Sequence, residues 1–169
     1  AFSAGFHPLP RVSFHGALAV GVESLAEIMD VELTAAVPEP EVAAALNRVL
    51  PAGVKVLEAS RLPRRQAAPG RNGAVYEVAS PEPVFAALAA ADFLAQEEFT
   101  VIRRRPREEQ CLDLRRLVAD LRVLDPGHLT LDLRRQDKGN FKVTEALAAI
   151  FALGEEQMRD LRIVKIKSV

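Results

Sequence analysis

Hydrophobic and polar residues are arranged along the first part of this chain in patterns that predict strands and one helix. Residues 27–34 alternate between apolar and polar side chains, as in a strand with one buried face, and residues 18–22 would be its hairpin partner. Apolar residues then recur at helical spacing from 42 to 49, and residues 54–59 predict a further strand. The first part of the chain therefore predicts the order β-β-α-β.

The second part predicts a longer series of elements that contains the order β-α-β-β-α-β of a ferredoxin-like unit, with one strand more than that unit has. The elements are a strand at 74–79, a helix that starts at Ser80 and Pro81 and buries Val84, Phe85 and Leu88, a strand at 98–104, a hairpin of strands at 117–124 and 128–135, a helix from about 143 to 153, and a final strand at 161–167.

We therefore predict an α+β fold of tandem ferredoxin-like (β-α-β-β-α-β) units with antiparallel sheets. The first unit would lack its opening strand and helix. Residues 1–62 would form this incomplete N-terminal half, residues 63–73 a basic loop rich in Pro and Gly, and residues 74–169 the C-terminal half.

Composition is that of a folded protein without a membrane span. Hydrophobic residues make up 49% of the 169 positions, which is ample for a core, and no apolar run approaches the roughly 20 residues that cross a bilayer. The single Cys111 excludes an internal disulfide, so we expect a reducing, cytoplasmic location. The 22 Lys and Arg residues nearly cancel the 23 Asp and Glu residues, so attraction to a polyanion must come from local clusters.

The segment from Gly5 to His15 contains two prolines that predict an extended chain. Alternation along it places His7, Arg11, Ser13 and His15 on one side. At roughly 3.3 Å per residue, His7 and His15 would be about 26 Å apart in a straight chain, too far to share a metal ion. We therefore interpret this row as a binding surface and predict no metal site.

Catalytic groups are only weakly indicated. Ser13 and Ser24 could pair with His15 and Asp30, but no Gly-x-Ser-x-Gly elbow presents a serine as a nucleophile. Asp30 and Glu32 share one face of a predicted strand, where solvated charges explain them better than an acid-base pair does. We therefore assign no catalytic residue and expect the chain not to be catalytic by itself.

Arginines cluster in two places although the net charge is only -1. The clusters are Arg61, Arg64, Arg65 and Arg71 at the start of the predicted loop and within it, and Arg103, Arg104, Arg105 and Arg107 at the end of a strand. With Arg11 and Lys138 they could form a track for an RNA backbone, because guanidinium groups suit phosphates. Against this, Glu108 and Glu109 neutralise the second cluster, and the sequence has no aromatic pattern typical of RNA-binding sheets.

Gly139 and Asn140 suggest one further anion site. They are flanked by Lys138 and Lys142 and precede a predicted helix, so their backbone could cradle a phosphate. The motif is short and generic, and a plain turn is the better interpretation.

Two stretches resemble a known family. They are residues 2–14, Phe-Ser-Ala-Gly-Phe-His-Pro-Leu-Pro-Arg-Val-Ser-Phe, followed by 19–24 and 27–33, and residues 139–147 with 161–165 near the end. These stretches resemble the uncharacterised radical-SAM-associated domain family, and the resemblance covers the whole chain. It implies a partner, because members are fused to, or encoded beside, cobalamin-binding radical-SAM proteins. Members also have a further strand and helix before the Gly-Phe-His-Pro segment, in keeping with the incomplete first unit predicted here.

The resemblance implies that the cofactors belong to the partner. A radical-SAM site needs three cysteine thiolates on one loop, and Cys111 is alone. We therefore expect no cofactor in this chain, and assign the iron-sulfur cluster, S-adenosylmethionine and cobalamin to a radical-SAM protein that is fused or separate.

Two functional hypotheses follow. In the first, the chain is a non-catalytic accessory domain that recognises a macromolecular substrate, RNA, for the radical-SAM partner, through the His7 to His15 row and the arginine clusters. In the second, it is a protein-interaction module that docks the partner or a second copy through residues 17–22 as a sheet edge. A stand-alone enzyme of unknown reaction is a weaker alternative.

Overall fold

The computed structural model describes residues 1–2, 6–7, 9–16, 18–62, 72–105, 108–135 and 141–169. In chain order the elements are β1 (Val12–Phe14), β2 (Val22–Ser24), β3 (Met29–Val31), α1 (Glu39–Val49), β4 (Gly73–Ala79), α2 (Ala87–Ala95), β5 (Thr100–Arg105), β6 (Glu108–Asp113), β7 (Val118–Asp125), β8 (His128–Arg134), α3 (Val143–Phe151), α4 (Glu155–Asp160) and β9 (Arg162–Ser168). The fold is therefore α+β, as the sequence predicted, with several antiparallel sheets. None of the described helices has the length and hydropathy of a membrane span.

The chain divides into two units, and the division interrupts the sequence. The first unit comprises Ala1–Phe14 and Met29–Ala68, and the second comprises His15–Ile28 and Pro69–Val169. Residues 15–28, which the sequence placed in the N-terminal half, therefore belong with the second unit.

The first unit contains a two-stranded sheet and a helix. β1 and β3 pair antiparallel, with Ser13 opposite Asp30. α1 follows Pro38, and none of its residues is buried. The predicted strand at 54–59 has no regular secondary structure, and the side chain of Asn47 pairs with the backbone at its centre. The Asn47 amide donates to the Val56 carbonyl at 2.9 Å and accepts from the Val56 N–H at 2.7 Å, so a side chain satisfies groups that a strand partner would otherwise pair.

The second unit contains a five-stranded sheet in the order β2-β9-β4-β8-β7. β2 is parallel to β9, and the other neighbours are antiparallel. Its core is apolar, with Phe85, Phe93, Leu117, Leu131 and Leu147 at most 2% exposed. β5 and β6 form a separate hairpin, whose second strand the sequence did not predict; α4 was also not predicted.

The strand at 18–22 does not pair as predicted. Gly21 adopts φ +85°, and the Val22 N–H bonds to the Ala19 carbonyl at 3.1 Å, so a turn replaces the first residues of the expected strand. β2 then begins at Val22 and pairs with β9, not with β3.

The start of α2 was also predicted wrongly. The helix begins at Ala87, seven residues after Ser80, and its buried residues are Ala90 and Phe93. Leu88 is 72% exposed, because a residue two positions from Ala90 lies about 200° around a helix and faces the opposite side. Phe85 is buried as expected, but it precedes the helix.

Candidate anion-binding pocket

A pocket of about 200 Å³ lies in the second unit, at the end of the sheet where β4 begins and β8 ends. Among the residues that the structure describes, five basic side chains and no carboxylate line this pocket. The polar side chains in this lining are His15, Tyr76, Arg134, Arg135, Lys142 and Lys165. We call this site the cationic pocket. An excess of positive charge around a concave site attracts anions.

Lys165 is the most buried charge of the cationic pocket. It lies on β9 opposite Tyr76 of β4, and its side chain is 4% exposed. Its Nζ donates to Glu27 Oε1 at 2.7 Å, and Glu27 is 28% exposed. A buried ammonium needs such a partner, because taking an unpaired charge out of water costs several kcal/mol.

The segment after β2 holds Glu27 in place through contacts with β9. The Leu25 N–H donates to the Lys165 carbonyl at 2.8 Å, and the Ser168 hydroxyl donates to the Ala26 carbonyl at 2.7 Å. Ser24 adds a hydroxyl hydrogen bond to Glu27 at 3.2 Å. Contacts of the three preceding residues therefore hold the carboxylate of Glu27 against Lys165.

Tyr76 contributes a phenol that stays protonated at neutral pH. Burial raises its pKa above the ordinary value of 10.0, and the negative charge of Glu27 raises it further. The phenolic O–H is therefore a hydrogen-bond donor for an anion.

Arg135 reaches the cationic pocket over a glycine. A Cβ on Gly16 would lie 2.9 Å from Arg135 Nη1, and Gly16 adopts φ +91°. The backbone conformation therefore favours glycine here, and a Cβ would require the guanidinium of Arg135 to shift. Arg134 and Arg135 are exposed at the end of β8, where they can meet a ligand in solvent.

The beginning of α3 closes another side of the pocket. Lys142 is the N-cap of this helix, and its N–H donates to Glu145 Oε2 at 2.8 Å. Glu145 also accepts from Arg103 Nη2 at 2.5 Å, and the Arg103 guanidinium lies over the Phe141 ring, 5.1 Å from its centroid. Arg103 is only 13% exposed, so it supports the helix end and does not present its charge to solvent.

The structure separates the row of polar residues predicted near the N-terminus. Arg11 and Ser13 lie in the first unit and His15 in the second. Arg11 pairs with Glu32 at 2.9 Å, within a depression that Ser13 also lines. His7 is exposed, whereas His15 is buried and lines the cationic pocket.

Among the described side chains, two clustered arginines form ion pairs with acids, Arg103 with Glu145 and Arg61 with Glu39. Arg61 lies 3.5 Å from Glu39. Arg105 is the cross-strand neighbour of Glu108 in the β5–β6 hairpin. The side chain of Arg105 is not among those that the structure describes. Arg64, Arg65, Arg71 and Lys138 are outside the described residues. Within the described residues no group of three or more His, Cys, Asp or Glu side chains could hold a metal ion.

Sequence reasoning missed Lys165, Glu27, Tyr76 and Arg135. One signal was present for Lys165, because it shares the inward phase of β9 with Ile163, where an apolar residue is expected. Its acidic partner lies 138 positions earlier, and no local pattern indicates such a pairing.

The sheet face away from the helices is unsuited to stacking bases. Glu77 lies opposite Thr130, and Asp120 lies opposite Asp132, so carboxylates occupy the middle of that face. The described residues of β4, β7, β8 and β9 include one aromatic residue, Tyr76, and it lines the cationic pocket. RNA-binding sheets of this type instead stack bases on exposed aromatic residues.

A family model described as an uncharacterized protein conserved in bacteria (DUF2344) matches residues 1–143. Comparison with curated proteins and comparison with solved structures gave no match.

Proposed function

The chain belongs to the DUF2344 family of uncharacterized bacterial proteins, and we propose that it is a non-catalytic accessory module that recognises RNA for a radical-SAM partner. The observation that carries the RNA part is the cationic pocket, whose described lining has five basic side chains and no carboxylate. The radical-SAM part rests on the resemblance of residues 2–14 to radical-SAM-associated domains. Any iron-sulfur cluster, S-adenosylmethionine or cobalamin belongs to the partner.

A ferredoxin-like architecture for the second unit is part of the proposal. The order β9-β4-β8-β7, with α2 between β4 and β7 and α3 between β8 and β9, supports it. β2 then extends this sheet at its β9 edge. The first unit would be the incomplete counterpart, with β1, β3 and α1 remaining.

Recognition proceeds through RNA phosphate groups and not through stacked bases. Arg134, Arg135 and Lys142 are the exposed cations of the pocket, and together they can neutralise three negative charges of RNA phosphate. Single-stranded RNA releases about 0.7 counterion per neutralised phosphate, so three contacts give a slope of about -2 for log affinity against log salt.

The test compares two glycine variants in a gel shift with single-stranded RNA. Gly16 and Gly21 have similar positive φ values, +91° and +85°, but Gly21 has no atom within 4 Å of a Cβ. Alanine strains the backbone at either position, whereas only Gly16→Ala displaces the Arg135 guanidinium. We expect Gly16→Ala to weaken RNA binding severalfold and Gly21→Ala to leave it unchanged.

A charge control accompanies the glycine pair. Arg135→Ala is compared with Arg159→Ala, which removes the same charge from exposed α4 outside the pocket lining. Equal losses in the two arginine variants, or no gel shift by the wild-type protein at 50 mM salt, would rule out RNA recognition by this pocket.

A second candidate function is docking of the radical-SAM partner through the first unit. The cross-strand pairs Val12–Val31 and Phe14–Met29 lie on one face of the β1–β3 sheet, and these four side chains are between 36% and 60% exposed. Phe14→Asp is expected to abolish co-purification with the partner, and retention of the partner by this variant contradicts the docking function.

A further inference from the structure

We infer that the cationic pocket binds a terminal phosphate, the monoester at one end of an RNA strand, and not an internal phosphodiester. This inference rests on the proposed RNA recognition and names the part of the RNA that enters the pocket.

The size of the pocket favours a chain end. Pockets for drug-sized ligands measure about 300–1,000 Å³, and this one measures about 200 Å³. It has room for a phosphate group with part of its sugar. An internal nucleotide would require the strand both to enter and to leave the same small cavity.

The charge distribution also favours a monoester. A phosphate monoester carries close to two negative charges at neutral pH and has three terminal oxygens, whereas an internal phosphodiester carries one charge and has two such oxygens. The described lining of the pocket includes Arg134, Arg135 and Lys142 and no carboxylate, so the second charge of a monoester meets further cations there.

Hydrogen-bond donors are available at the buried wall of the pocket. An ammonium has three N–H donors, and within the described part of the chain the partner of Lys165 Nζ is Glu27. Tyr76 is the cross-strand neighbour of Lys165, and its phenol is protonated at neutral pH, where burial raises its pKa further above the ordinary value of 10.0. Lys165 and Tyr76 therefore present donors that match the several acceptor oxygens of a terminal phosphate.

The experiment uses one RNA oligonucleotide in three forms: with a 5′-phosphate, with a 3′-phosphate, and with hydroxyl groups at both ends. We expect the full chain to bind one phosphorylated form at least tenfold more tightly than the hydroxyl form. Inorganic phosphate should compete with the phosphorylated end for the pocket and so reduce this preference. The favoured end identifies which monoester the pocket takes.

Two variants locate the difference in the pocket. Tyr76→Phe removes one donor and keeps the packing, and the double variant Lys165→Met/Glu27→Gln removes the ion pair without leaving a buried charge. Each should reduce the ratio between the affinities for the phosphorylated and the hydroxyl oligonucleotides.

Failure of the inference is distinct from failure of the proposed function. Equal affinity for all three oligonucleotides overturns the terminal-phosphate assignment and leaves RNA recognition standing. If no oligonucleotide binds, the proposed function fails and the inference fails with it. A phosphate preference that persists in both variants assigns it to another part of the chain and overturns the inference.

Discussion

Breaking the buried ion pair between Lys165 and Glu27 should produce unequal losses of stability. At 2.7 Å, and with an effective dielectric constant of ~20, the gross attraction is about 6 kcal/mol, most of which offsets the desolvation of the two charges. Glu27→Gln leaves an ammonium whose side chain is 4% exposed, and we expect the free energy of unfolding to fall by about 3 kcal/mol. Lys165→Met leaves a carboxylate that is 28% exposed and can be hydrated, so about 1–2 kcal/mol is expected.

The double variant completes this cycle. Lys165→Met/Glu27→Gln has no buried charge, and we expect its stability to lie within about 1 kcal/mol of the wild type. Urea unfolding at pH 7, followed by circular dichroism, gives the four free energies. The reasoning is refuted if the sum of the two single-variant losses equals the loss in the double variant within ~0.5 kcal/mol. It is also refuted if Lys165→Met loses more stability than Glu27→Gln.

Three further outcomes test individual side chains. The pKa of Tyr76 is raised in the folded state, so the folded protein holds this proton more tightly than the unfolded chain. The resulting stability is complete below pH 10 and is lost as the pH rises through the folded pKa. Tyr76→Phe should remove this loss of stability from alkaline unfolding curves. Arg103→Ala should cost about 2–3 kcal/mol in urea, because it breaks a largely buried pair with Glu145, but RNA affinity below the melting temperature should not change; weakened binding would contradict its assignment as a supporting residue. Leu88→Ala should change stability by no more than about 0.5 kcal/mol, whereas Phe93→Ala should cost about 3–5 kcal/mol, and the reverse order would contradict the helix orientation.

Elements that depend on local sequence were predicted well. The β7–β8 hairpin follows from the turn at 125–128, where Asp125 Oδ1 accepts from the Gly127 N–H at 2.7 Å. The same carboxylate accepts from His128 Nδ1 at 2.9 Å, and these bonds lower the pKa of Asp125. Each partner lies within three residues, so the pattern could be recognised without knowledge of the tertiary structure.

Elements that depend on distant partners were not predicted. β2 pairs with β9, and Glu23 of β2 forms an ion pair with Arg162 at 2.9 Å across 139 positions. The nearest apolar run, β3, was the more obvious partner because sequential strands usually pair. The cationic pocket was missed for the same reason, since His15, Arg135 and Lys165 come from segments far apart in the sequence.

The position of Tyr76 allows the cationic pocket to be monitored by intrinsic tyrosine fluorescence. The chain contains one tyrosine and no tryptophan, so ultraviolet emission of the protein above that of phenylalanine originates at a side chain that lines the pocket. An anion that accepts a hydrogen bond from this phenol alters the emission at its source. Occupancy of the pocket can therefore be followed in the unlabelled protein, without any contribution from a second emitter elsewhere in the chain.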